Sequence, residues 1–312
     1  DNSRPGASGQ RRLADGLRQF DDAAELPSSA AGDGLVDELR ATLDDAARTA
    51  ALVGGWTGDD PLRLSKAVVT WLLRCPRRAL ALGEVGGSDD LVAGLAVDAA
   101  AKLATLAPQR APTAEAALAY LAATGNTVGA DRMADLGHAA GPLLDDIAGR
   151  VERLAAAWPA IHPAWWPRVE EPVRARFADG AVMVGGRLDL LLGGPPTERP
   201  GVVVEVKSGR WYDGMRADGH LYALLVSLRD GRAPAAVVTV VADGTTQVEP
   251  VRPAVLVTAA DRLEQALGVA AGIAAGEPPA THPGPHCPHC PLRPECPVGL
   301  AWRAEPHEAV AG

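Results

Sequence analysis

The chain has 312 residues, 47% of them apolar, and carries a formal charge of −9. This length supports at least one large buried core, and the composition excludes a disordered tail. The net acidity excludes a generic basic coat for a polyanion, because phosphate affinity comes mainly from Lys and Arg. Any such surface must be a local patch, with Arg74, Arg77, Arg78, Arg174, Arg176, Arg187 and Arg210 as the candidates.

The sequence opens on Asp1 rather than Met, and the expectation is that an N-terminal stretch precedes it. Neither a charged-then-apolar signal segment nor an apolar run of about 18 residues occurs, so a cytoplasmic protein away from membranes is expected. Residues 1–10 read as a flexible tail of Gly, Ser and polar groups. Helical patterns follow near 11–25 and 33–53, the second with Leu35, Leu39, Leu43 and Ala47 on one face. Alanine-rich helices are predicted near 65–75, 88–107, 113–123 and 130–157, with Ser65 placed to cap the first.

At Pro159 the texture changes. Strands are predicted near 168–178, 181–193 and 201–207. In the second, Val182, Val184, Leu188, Leu190 and Leu192 alternate, and in the third Val202, Val203, Val204 and Val206 form a buried run. A helix near 215–229, strands at 235–242 and 246–251, and a helix at 258–275 complete the pattern. Residues 281–312 are Pro- and Cys-rich, with too little periodicity for regular structure. The order predicts an α/β fold, a small mixed sheet flanked by helices. It divides into a flexible tail (1–10), a helical region (11–157), a core (158–280) and a Cys-rich tail (281–312).

Asp189 lies in GGRLDLLLG, and Glu205 and Lys207 in VVVEVKSG. Residues two apart on a strand share a face, so Glu205 and Lys207 project together from among valines. Burying unpaired charge is costly, which leaves either an ion pair or a metal site. If Asp189 points the same way, two carboxylates converge beside an ammonium. Such a set suits Mg²⁺ or Mn²⁺ with positions open for water and a phosphate oxygen. The plainer reading is a structural Glu–Lys pair and an unrelated Asp.

Four cysteines occur: Cys75 in WLLRCPRRAL, and Cys287, Cys290 and Cys296 in a C-x2-C-x5-C run, each followed by Pro. A disulfide framework does not suit a large cytoplasmic chain. Thiolates at this spacing select zinc, with His286 or His289 as further ligands, or the iron of an iron–sulfur cluster.

The GRLD strand, the EVKSG that follows and the helix with Tyr-Ala-Leu resemble the PD-(D/E)xK superfamily. The likeness is to its RecB-like and CRISPR-adaptation-associated branch, which carries an iron–sulfur cluster, and it spans roughly residues 60–300. The resemblance implies a restriction-endonuclease-like core and a metal-dependent DNA nuclease. It would be an exonuclease or end-processing enzyme on single strands or duplex ends, in repair or recombination, with a helicase or DNA-processing protein as partner. It implies Asp189 and Glu205 as Mg²⁺ or Mn²⁺ ligands, Lys207 as the catalytic lysine, and Cys75, Cys287, Cys290 and Cys296 around a [4Fe–4S] cluster, with zinc the alternative.

Two positions depart from the family pattern. Its metal-binding His falls on Asp98 in GLAVDAAAKL, still a hard oxygen ligand. Its Gln-x-x-x-Tyr helix reads Asp218-Gly-His-Leu-Tyr222, keeping only the Tyr. Glu171 falls where the family often has another acid, although a solvated strand-end carboxylate accounts for it equally. The departures motivate an alternative, a catalytically weakened nuclease fold that grips DNA or a partner. His138 and His220 are expected to be packed or solvated helix residues, and Trp158, Trp165 and Trp166, near His162, packing groups. No Walker-type loop is present.

Overall fold

The computed structural model describes residues 32–82, 88–158, 161, 163–197, 201–209, 211 and 213–304. The expected tail 1–10, the helix near 11–25, His162, Arg210 and the His289 side chain lie outside the described residues.

The described strands form one mixed sheet: β1 (Leu62–Ser65), β2 (Arg168–Phe177), β3 (Val182–Leu192), β4 (Val202–Lys207), β5 (Ala236–Val241) and β6 (Thr246–Pro250). β3 organises it. Along one edge it pairs antiparallel with β2 from Arg168↔Leu191 to Phe177↔Val182. Its other edge is shared. β1 runs parallel to it over Val182–Gly185, and β4 runs antiparallel over Leu190–Leu192. The sheet is therefore split beside residues 186–189. Beyond β4, β5 pairs parallel and β6 antiparallel.

Helices cover both faces. One core is closed by α1 (Gly32–Gly54), α2 (Lys66–Arg74), α8 (Arg216–Asp230) and α9 (Pro253–Ala274). Along α1, Val36, Leu39, Leu43, Ala47 and Ala50 are buried, one stripe at helical spacing. The other core is closed by α4 (Asp89–Leu106), α5 (Ala114–Ala123), α6 (Val128–Leu136) and α7 (Gly141–Ala157), with Trp158 and Trp165 buried among them. Trp166 is half exposed. Ser65 caps α2, its hydroxyl accepting from Val68 N.

The sequence expectations fail at informative places. β1 was not expected, so the sheet draws a strand from inside the region read as helical, 11–157. The helix expected over 65–75 stops at Arg74, because Cys75 is extended and Pro76 starts a new short turn, α3 (Pro76–Ala79). The helix expected over 130–157 breaks where Gly137 takes a φ of 52°. The tail contains two 3₁₀ turns and α10 (Pro297–Ala304). The alternation read in β3 does not persist: Val182, Val184 and Leu188 face one core, whereas Leu190 and Leu192 face the other. Glu170, on paired β2, has a φ of 53°, which resets the pleat of this ladder between Leu188 and Leu190.

Candidate active site

The split in the sheet exposes charge that would otherwise be buried. Glu205 projects from the middle of β4 and is fully buried. Its Oε2 accepts from two ammoniums, Lys66 Nζ at 2.7 Å and Lys207 Nζ at 3.0 Å. Its Oε1 is buried and has no hydrogen-bond partner among the described residues. Lys207 also donates to Asp218 Oδ2 at 2.9 Å, and Thr70 Oγ1 donates to Asp218 Oδ1 at 3.2 Å. Asp189, on β3, accepts from Val206 N at 2.7 Å, which ties its Oδ2 to the strand carrying Glu205.

Asp98 approaches from α4. Lys102, one turn further on, donates both to Asp98 Oδ2 and to Glu170 Oε1, leaving Asp98 Oδ1 buried and unpartnered among the described residues. Each of these two carboxylates, Asp98 and Glu205, thus gives one oxygen to lysine and leaves the other bare. Tyr222 closes the α8 side, its hydroxyl donating to Arg187 O at 2.9 Å. Gly186 permits this approach, since a Cβ there would stand 2.7 Å from the Tyr222 hydroxyl oxygen.

A cleft of about 290 Å³ opens onto this cluster, lined by Ser65, Lys66, Asp98, Lys102, Glu170, Arg187, Asp189 and Tyr222 among others. Its electrostatics follow from burial. Desolvation, with the charges of Glu205 and Asp98 nearby, pushes the Asp189 carboxyl up to about 7. Burial also raises Asp98, against the opposing pull of Lys102. For Lys207, burial is outweighed by Glu205 and Asp218, so it is held well above the usual range for an ammonium. Burial disfavours the charged form of Asp218, but Lys207, Lys66 and Thr70 together keep its carboxyl below the usual range.

Asp98, Asp189, Glu205, Lys207, Asp218 and Tyr222 therefore meet around the split. Glu171 stands elsewhere, paired with Arg168 at 3.3 Å and Arg229 at 3.0 Å. Its neighbour Glu170 lines the cleft instead, turned there by its left-handed backbone. His220 pairs with Glu249 at 3.0 Å, and His138 is exposed. Lys66 and Lys102 were not singled out from the sequence, although both meet the carboxylates. Of the Arg candidates, Arg187 stands at the cleft mouth, 3.3 Å from Glu170, and is well exposed. Arg174 and Arg176 are exposed on β2.

The cysteines lie away from this cluster, and none forms a disulfide. Cys75, between α2 and α3, and the tail are drawn together. Arg77 N donates to Ala280 O and its guanidinium to Glu295 O, and the Trp71 ring meets His286 edge-on at 5.2 Å. The Cys287 sulfur accepts from Gly284 N at 3.3 Å, and the Cys296 sulfur from Gly299 N at 3.4 Å. A Cβ on Gly299 would stand 3.4 Å from one of these sulfurs and 3.5 Å from the other, so α10 packs directly against both. Among the described residues, no group of three or more His, Cys, Asp or Glu side chains is gathered tightly enough to hold a metal ion. No described helix is long and apolar enough to cross a membrane.

Residues 63–297 match the family model of the PD-(D/E)XK nuclease superfamily. No curated protein matches the chain. Among solved structures, the crystal structure of SSO0001 is similar at 16% identity over 76% of this chain and 87% of that one, with a TM-score of 0.34.

Proposed function

This chain belongs to the PD-(D/E)XK nuclease superfamily, and from that membership we propose a Mg²⁺- or Mn²⁺-dependent deoxyribonuclease that trims single strands or duplex ends. Repair or recombination is the setting, and a helicase or DNA-processing protein the partner. One observation carries the reading: a fully buried glutamate, Glu205, has one oxygen held by two lysines and the other bare, beside a second bare carboxylate oxygen on Asp98. Bare buried carboxylate oxygens are costly unless a cation completes them.

Asp98, Asp189 and Glu205 would hold the divalent cation, which would polarise the phosphate and lower the pKa of a water beside it. The reaction forms a bond from water oxygen to phosphorus and breaks one P–O ester bond, giving a phosphate monoester and an alcohol. The protein's part is positioning. Val206 N fixes Asp189, and Lys66 and Lys207 fix Glu205. Lys207 in turn is held by Asp218. The ammoniums also offset the charge that grows on phosphate oxygens in the transition state.

We also assign Cys75, Cys287, Cys290 and Cys296 to a [4Fe–4S] cluster, with zinc the alternative. The N–H donors on two of the sulfurs, and the joining of the Cys75 turn to the tail, support it. Iron and acid-labile sulfide in the purified protein favour the cluster, and one zinc per chain the alternative.

A second reading has its own observation. Lys102 sits between Asp98 and Glu170, where an added cation would compete with it. A fold so neutralised would bind DNA without cutting it. Cleavage of end-labelled single- and double-stranded DNA in Mg²⁺ or Mn²⁺, wild type beside Glu205→Gln, decides between them. Cleavage lost in the variant supports the nuclease, and binding without cleavage by wild type supports the second reading.

A further inference from the structure

We propose that Lys66, rather than Lys207, is the ammonium that meets the scissile phosphate, with Lys207 a positioning residue behind Glu205; the assignment rests on the nuclease reading above. The two lysines share Glu205 Oε2 and both reach Asp218, but at different distances, and only one of them lines the cleft. Lys207 is pinned from two sides, at 3.0 Å by Glu205 and 2.9 Å by Asp218. Lys66 is hydrogen-bonded to one carboxylate, at 2.7 Å from Glu205, and holds Asp218 more loosely at 3.8 Å. Its ammonium rests 4.7 Å above the centre of the Tyr222 ring. Lys66 lines the cleft together with Asp98 and Asp189, whereas Lys207 is not among the lining residues.

The placement of Lys66 also runs against local preference. It is the first residue of α2, whose first turn has no acid to balance it. A helix N-terminus carries partial positive charge, so a lysine there is unfavourable unless something beyond the helix requires it. Glu205 meets that requirement in the structure, and a phosphate arriving in the cleft that Lys66 lines would meet the same ammonium. Asp218 explains why a second lysine is needed. By pairing with Lys207 it neutralises the motif lysine and fixes it behind Glu205. Lys66 restores a positive charge that can turn from Glu205 to a non-bridging phosphate oxygen. It donates hydrogen bonds there and forms no covalent bond.

The full chain is compared as wild type, Lys66→Met, Lys207→Met and Lys207→Arg. Lys66→Gln replaces Lys66→Met if the thermal melt of the latter shows no folded protein. Two quantities are read: kcat on end-labelled single-stranded DNA in saturating Mn²⁺, and the Kd for Mn²⁺ alone by electron paramagnetic resonance. Lys66→Met is expected to lower kcat about 100-fold, with the Mn²⁺ Kd changed much less than in Lys207→Met, which also frees Asp218. Lys207→Met is expected to weaken Mn²⁺ binding about tenfold or more, because Glu205 and Asp218 lose their fixed partner, and Lys207→Arg to restore most of it. Lys66→Met with wild-type kcat, or with Mn²⁺ binding weakened as in Lys207→Met, overturns this assignment alone. Wild type that binds Mn²⁺ yet cleaves no DNA overturns the nuclease reading, and this assignment falls with it.

Discussion

At the split sheet the carboxylates meet ammoniums within hydrogen-bond reach, and the residues that carry them sit on strands and long helices. Around Cys287, Cys290 and Cys296 the chain has only two single 3₁₀ turns and the short helix α10, held to α3 by a few contacts from Arg77. The first region keeps its shape through protein–protein pairs, with lysines holding its carboxylates in place. The second has little apolar burial or regular hydrogen bonding of its own, so a bound metal would add the shape itself.

The largest effect that could break this contrast is at the cysteines. Under the proposed cluster assignment, Cys287→Ser should release residues 281–304 to limited proteolysis and lower the iron or zinc content per chain, with most of the local stability gone, since structural metal sites can contribute about 10 kcal/mol. A tail that stays protease-resistant and metal-free would make the two regions alike. Next comes Glu205→Gln. It leaves Lys66 and Lys207 sharing the single carboxylate of Asp218, and should cost roughly 3–5 kcal/mol in urea unfolding at pH 7.

A third prediction concerns pH in the metal-free protein. Asp189 titrates at about 7 in the fold, against about 3.9 unfolded. Between these values the native state binds the extra proton, so stability should fall as pH rises from about 4 to 7. Asp98 is raised too and acts in the same direction. The carboxylates held low, Asp218 and Glu170, weaken the fold only at lower pH, so they do not mask this window. Asp189→Asn should flatten the melting temperature across pH 5–8, and Mn²⁺ should flatten it for wild type. The smallest effect is Glu171→Gln, which should change stability by less than about 1 kcal/mol and leave cleavage unchanged, because its ion pairs are partly exposed and lie outside the cleft.

Much of this arrangement was legible in the sequence. The valine run of β4 located a buried strand within a residue of its observed start, and two-residue periodicity put Glu205 and Lys207 on one face. Asp189 and Tyr222 were readable from the motifs around them. Lys66 was not, because a lysine after a capping serine looks like any solvated helix start, and only the missing acid in the first turn hinted otherwise. The choice of Glu171 over Glu170 turned on one backbone angle that side-chain pattern cannot encode. β1 escaped because four residues carry no period, and its pairing with β3 comes from tertiary contact. The pairing of Lys102 with both Asp98 and Glu170 joins a helix to a strand 68 residues away, beyond any local signal.

That pairing of β1 with β3 has a consequence for how the protein is made. Leu62 must wait for Val182 before it has a partner, and synthesis at roughly 5–20 residues per second puts many seconds between them. During that interval β1 is an unpaired strand edge on a nascent chain, flanked by helices that can form locally. Ser65 and Lys66 reach their final places only once the ribosome has passed β3. The nuclease centre therefore assembles late, after every helix from α2 to α7 has been translated.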